Sequence, residues 1–132
     1  MKENFFEQFD AGVLVIAGKR TDISRLAWNP HKDYKGVFFK HVLIADQTGG
    51  LGFNFVRVLP GHELGMHIHP DSIELHEVIE GSGVCVTGGE EISYTPGTIS
   101  LIAKNAPHAI RAGENGLTFF AQFLGEFVTV PV

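Results

Sequence analysis

Glycine and proline break this chain into short pieces, and that punctuation limits its fold more than any other feature. Sixteen glycines and six prolines separate runs rich in Val, Ile, Phe and Thr, the rhythm of strands joined by tight turns. Strands are expected near residues 12–17 (GVLVIA), 37–45 (VFFKHVLIA), 51–59 (LGFNFVRVL), 64–69, 73–80 (IELHEVIE), 83–87, 90–94, 98–103, 107–112 and 117–130. The breaks between them, such as QTGG, EGSG, TGGEE, TPG and AGENG, have turn chemistry. No segment keeps a helical period, although ENFFEQFDA at the start suffices for one short turn of helix. The class is therefore all-β. About ten short strands need a sandwich, a jelly roll or a closed barrel to manage their edges.

A chain of 132 residues fits one domain, residues 1–132, with no repeat and no linker. Strands 37–45 and 117–130 are apolar on both alternating faces, so each has an outer face that something must cover. A homodimer is the economical cover, with the N-terminal strands of residues 1–50 as the expected contacts. The net charge of −5 and the scattering of the ten Lys and Arg residues argue against nucleic acid as a partner. The opening MKENFFEQFD lacks a signal-peptide core, and no apolar run is long enough to span a membrane. A cytoplasmic location is the default. Cys85, the one cysteine, cannot pair within the chain and reads as a small core residue between Val84 and Val86.

The stretch Gly61–Gly81, GHELGMHIHPDSIELHEVIEG, holds four of the seven histidines. Residues two apart on a strand share a side, so His67 and His69 present their imidazoles together, which is half of a metal site. Glu74, His76 and Val78 share a face of the next strand. If that face is interior, a buried carboxylate needs a partner, and a divalent cation shared with imidazoles is one. The alternative is a flipped strand, with Glu74 and His76 in solvent and Glu77 inside.

From Gly61 the spacing of His67, His69, Glu74 and Gly81 resembles the first motif of the cupin family, G-x5-H-x-H-x3/4-E-x6-G, at every fixed position. The run from Gly97, GTISLIAKNAPHAIRA, resembles the second, G-x5-P-x-G-x2-H-x3-N, and places His108 at its histidine. Three positions depart from it: Ala103 for proline, Asn105 for glycine and Ala112 for asparagine. Asn105 suits the turn because Asn tolerates the left-handed conformation. The resemblance covers about residues 51–125. HIHPDSIELHEVIEGSGVCVTGGEEISYTPG is also similar to the sensing arm of AraC-type regulators, but no helix-turn-helix segment accompanies it here.

The resemblance implies a cupin jelly-roll barrel, a double-stranded β-helix with an N-terminal strand extension, holding one divalent transition metal through His67, His69, Glu74 and His108. Three imidazoles and a carboxylate suit Zn, Fe, Ni, Mn or Cu alike. His76 lies outside the family pattern. It is read as a donor behind the ligands, an acid or base, an extra ligand or a core polar residue. Arg57 is expected outward, and only one of Lys40 and His41 can face in. His31 and His62 are expected exposed, while Trp28 and Tyr34 are read as lining a pocket mouth or a subunit contact. No nucleophile elbow or phosphate loop is present. Two functions fit: a metal-dependent enzyme (dioxygenase, isomerase, decarboxylase or lyase) acting on a small oxygenated substrate, or a non-catalytic small-molecule sensor.

Overall fold

The path of the chain is set by two long strands that run antiparallel beside each other. In the computed structural model, which describes residues 4–125 and 128–132, the elements are α1 (Phe5–Asp10), β1 (Val13–Ile16), β2 (Lys19–Asp22), β3 (Trp28–Pro30), β4 (Val37–Leu43), α2 (Ala45–Thr48), β5 (Leu51–Val58), β6 (Glu63–Ile68), β7 (Ser72–Thr87), β8 (Glu90–Tyr94), β9 (Ile99–Ile102), β10 (His108–Gly125) and β11 (Val130–Pro131). β7 and β10 pair from His108↔Thr87 to Gly125↔Ser72. β10 also carries β5 and β6, and β7 carries β8 and β9. An antiparallel sheet sharing strands in this way curls into a jelly-roll barrel.

Glycines allow the two long strands to stay together. Four residues, 113–116, bulge from β10 opposite the segment around Gly81. Gly81 has φ of 79°, and a Cβ there would lie 2.1 Å from the Gly116 carbonyl oxygen. Only glycine fits. The sequence breaks expected at 80–83 and 113–116 are therefore bends inside continuous strands, not strand ends. The strand expected at 117–130 closes at Gly125, with residues 126 and 127 outside the described residues and β11 separate. Residues 45–48, expected partly as strand, form one helical turn capped by Gly49.

Alternation divides the side chains of β4, β5 and β10 between two clusters. Val37, Val56, Val58, Phe119, Ala121 and Phe123 face the barrel interior. Val42, Phe55 and Phe120 face out, where Phe6 and Ile23 cover them. The cover is thus the chain's own beginning. Asn4 Oδ1 caps α1 by accepting from Glu7 N–H, and Phe6 packs on Phe55 while Phe9 packs on Phe120. Lys40 points to this side, buried, donating to Asp10 and to the Ile23 carbonyl.

Candidate metal centre

Strand period and register build the site. On β6 and the residue just beyond it, His67 and His69 point inward while Met66 and Ile68 are only half-buried. On β7, Glu74, His76 and Val78 are buried, and Leu75, Glu77 and Ile79 lie on the other side. The flipped alternative is therefore excluded. β10 begins with His108 directly across from His67. Ligand atoms of His67, His69, Glu74 and His108 all lie within 4.8 Å of one another, and all four residues are buried.

Hydrogen bonds at the back of three rings decide which nitrogen faces the centre. Nδ1–H of His67 donates to the Gly65 carbonyl at 2.6 Å, that of His69 to Val128 at 3.0 Å and that of His108 to Ala106 at 2.9 Å. A neutral ring with its proton on Nδ1 turns a bare Nε2 lone pair the other way. These lone pairs converge on Glu74: His108 Nε2 is 2.9 Å and His69 Nε2 3.5 Å from Oε1. Even so, Glu74 Oε1 and His108 Nε2 are buried without a hydrogen bond. Buried polar atoms left this way are costly, and a set of acceptors facing acceptors is the donor chemistry that a cation satisfies. The residues present fit a metal.

Electrostatics agree with that fit. Burial, then the neighbouring His108, pushes the His67 pKa down to about 4, keeping its lone pair available. Burial alone would raise the Glu74 carboxyl; the imidazoles packed around it, His76 first and then His108 and His69, outweigh burial and hold the group well below the ordinary carboxylate range.

Other expectations divide. Asn105 has φ of 62°, the left-handed turn expected of it, and its N–H bonds the His69 carbonyl. Arg57 faces outward but is stacked over Trp28 and Phe6, at 4.6 and 5.2 Å from the ring centroids. His31 and His62, expected exposed, are half-buried: His31 packs on Tyr34 and Phe39 beside the site. Trp28 belongs to the N-terminal cluster. Tyr34 lies over Gly65 and reaches the Met66 carbonyl. Cys85 is fully buried as expected. Sequence reasoning missed Tyr94, whose hydroxyl is 2.7 Å from His76 Nδ1. The signal was the alternation in EEISY, which puts Tyr94 on the inward side with Ile92.

Comparison with known proteins bears on the same residues. The profile of the family described as Cupin domain matches residues 54–120, half of the chain. The chain belongs to the cupin family. Its barrel is similar to a predicted oxalate decarboxylase from Thermotoga maritima (21% identity, TM-score 0.70, covering 78% of this chain and 96% of that one). It is also similar to the polyketide cyclase RemF from Streptomyces resistomycificus (19%, 0.74, 86% and 84%) and to a cupin-superfamily sugar phosphate isomerase from Silicibacter pomeroyi (21%, 0.68, 80% and 74%). At such identities the likeness shows the fold alone. None of the curated proteins matches this cupin. No helix among its described residues is long and apolar enough to cross a membrane.

Proposed function

We propose that this cupin holds one divalent transition metal through His67, His69, Glu74 and His108 and acts as a metal-dependent enzyme on a small oxygenated molecule. The observation that carries the reading is the convergence of three rings, each locked from behind by a backbone carbonyl, on a carboxylate oxygen that has no other partner. A bound metal with open positions supplies Lewis acidity or activates water. The protein's own part is to keep the rings neutral and oriented and to wall the site with Phe39, Val56, Leu64, Phe119 and Phe123. Similar barrels carry names as different as decarboxylase, cyclase and isomerase, so dioxygenase, isomerase, decarboxylase and lyase chemistry all stay within the proposal.

One observation favours a second reading, a non-catalytic sensor or binder. The free space beside His67, His69 and Glu74 is about 10 Å³, room for roughly one water. Any substrate must move a wall. A larger cavity of about 820 Å³, between His41, Asn54 and the α2 turn, shares Phe123 with that small one.

Elemental analysis of protein purified without a histidine tag tests the metal. About one ion per chain is expected, lost in His67→Ala, His69→Ala and His108→Ala; full retention in all three overturns the assignment. Metal-loaded protein that binds a ligand tightly yet consumes no oxygen and neither isomerises nor cleaves any candidate selects the second reading. We also propose a homodimer, seated on the exposed outer residues Ile99, Leu101 and Leu124. A monomer in sedimentation equilibrium would remove it.

A further inference from the structure

At the second carboxylate oxygen of Glu74 stands a pair of fully buried polar side chains outside the four-residue set. His76 and Tyr94 are both at 0% exposure. Tyr94 Oη lies 2.7 Å from His76 Nδ1, and His76 Nε2 lies 3.0 Å from Glu74 Oε2. The ring of Phe119 stands 4.7 Å from that of His76, and Ala121 faces it across the strand pair, so its orientation is fixed by packing.

We propose that Tyr94 and His76 form a positioning relay for Glu74: the Tyr94 hydroxyl donates to His76 Nδ1, the ring proton is thereby held on Nε2, and Nε2–H engages Glu74 Oε2 so that Oε1 alone is offered to the three imidazoles. The relay rests on the metal reading above.

The proton assignments follow from what each group can do. Behind the three converging rings a backbone carbonyl claims the Nδ1 proton, but behind His76 stands a hydroxyl that can itself donate, so the His76 proton is free to sit on Nε2, where Glu74 Oε2 accepts it at 3.0 Å. A neutral ring then leaves Nδ1 as an acceptor, and the phenol is the donor within reach. Burial keeps that phenol protonated by raising it above its ordinary value, with Ser100 opposing. Cys85 competes for the same hydroxyl, but a thiol sulfur is a far weaker acceptor than an imidazole nitrogen. The His76–Glu74 contact is at hydrogen-bond distance, with the alignment still loose, as hydrogen bonds around a functional site often are before a ligand tightens them.

Geometry also separates this role from the alternatives. His76 is outside the group whose ligand atoms converge, so it is not a fifth ligand. It does not line the small cavity beside the site, whereas His67, His69 and Glu74 do. With one ring nitrogen against Tyr94 and the other against Glu74, His76 has none left to meet a substrate, which makes it a positioning residue, not an acid or base.

Cobalt(II) titration of the full chain, with competition by a chelator, tests the relay. Tyr94→Phe and His76→Phe are expected to weaken cobalt binding about 10- to 100-fold, and His76→Gln, which keeps a donor near the Nε2 position, to recover most of the loss. Releasing Oε2 also lets Glu74 chelate through both oxygens, so the visible absorption of cobalt in Tyr94→Phe should fall in intensity as coordination rises. Wild-type affinity and spectrum in both Phe variants would overturn the relay and leave the metal site standing, provided that His108→Ala abolishes binding. Failure of the wild type to bind cobalt would overturn both. Imidazole nitrogen shifts of the metal-free wild type need no variant to fold: a His76 proton on Nε2 supports the relay, and one on Nδ1 sinks it.

Discussion

The two sides of β5 and β10 bury charge in opposite ways. On the outer side, Lys40 is enclosed by the N-terminal segment, and its ammonium meets the Asp10 carboxylate and a backbone carbonyl. On the inner side, Glu74 Oε1 and the His108 Nε2 that faces it leave one another unsatisfied. A buried charge with local partners is a structural joint, here one that fastens the N-terminal cover to the barrel. Buried acceptors that face one another with too few donors mark a place built for something else. Burial and charge are alike on the two sides; hydrogen-bond balance separates them.

The inner side should break first in acid. His67 has its folded pKa lowered to about 4 from 6.5, so its contribution is fully present above pH 6.5, is lost as pH falls toward 4, and is exhausted below that. The shift corresponds to about 3 kcal/mol. Chelator-treated protein is expected to lose about that much unfolding free energy across this window, read by urea denaturation at a series of pH values. His67→Gln should flatten the profile, and an unchanged slope in that variant would show that His67 is not the titrating group.

The outer side should respond to removal of a partner. Asp10→Ala leaves Lys40 buried beside one carbonyl, and a loss of about 2 kcal/mol is expected, less than for a fully enclosed pair because Asp10 is partly wet. Lys40→Met, of similar length and uncharged, should cost less than Asp10→Ala. The reverse order in thermal melts would mean that the pair is more than a joint. Neither change should alter metal content, whereas every inner-side ligand change should.

What the sequence revealed about these two sides was unequal, for physical reasons. The period of two on HIH and ELHEV put four ionisable groups on one face, and spacing from Gly97 found His108 on a remote strand, so the inner site was legible residue by residue. The outer cover was not. Alternation says that a face of 37–45 is apolar but not what lies on it, and the short strands around 19–22 and 28–30 are too polar to read as a lid. Lys40 and His41 face apart, as alternation requires, yet Lys40 faces the cover and not the barrel. Gly81 was read as a break because glycine ends strands more often than it bends them. Tyr94 was missed because nothing in one strand's pattern shows which hydroxyl will meet which ring.

A smaller effect joins stability to the site. Asn105 sits at φ of 62° in the turn between β9 and β10. Its N–H reaches the His69 carbonyl at 3.0 Å, and the next residue, Ala106, offers the carbonyl that holds His108 Nδ1. The turn thus ties two of the three converging histidines through backbone alone. Asn105→Ala puts a Cβ into the left-handed region without the local hydrogen bonding that Asn supplies, a cost of about 1 kcal/mol. Asn105→Gly should be nearly neutral. If the turn also orients the rings, Asn105→Ala will weaken cobalt binding several-fold, while Asn105→Gly, which keeps the backbone conformation, will not. Equal affinity in both variants, with the Ala variant less stable by the expected amount, would mean that the ring orientations are set by β6 and β10 themselves and that the turn only connects them.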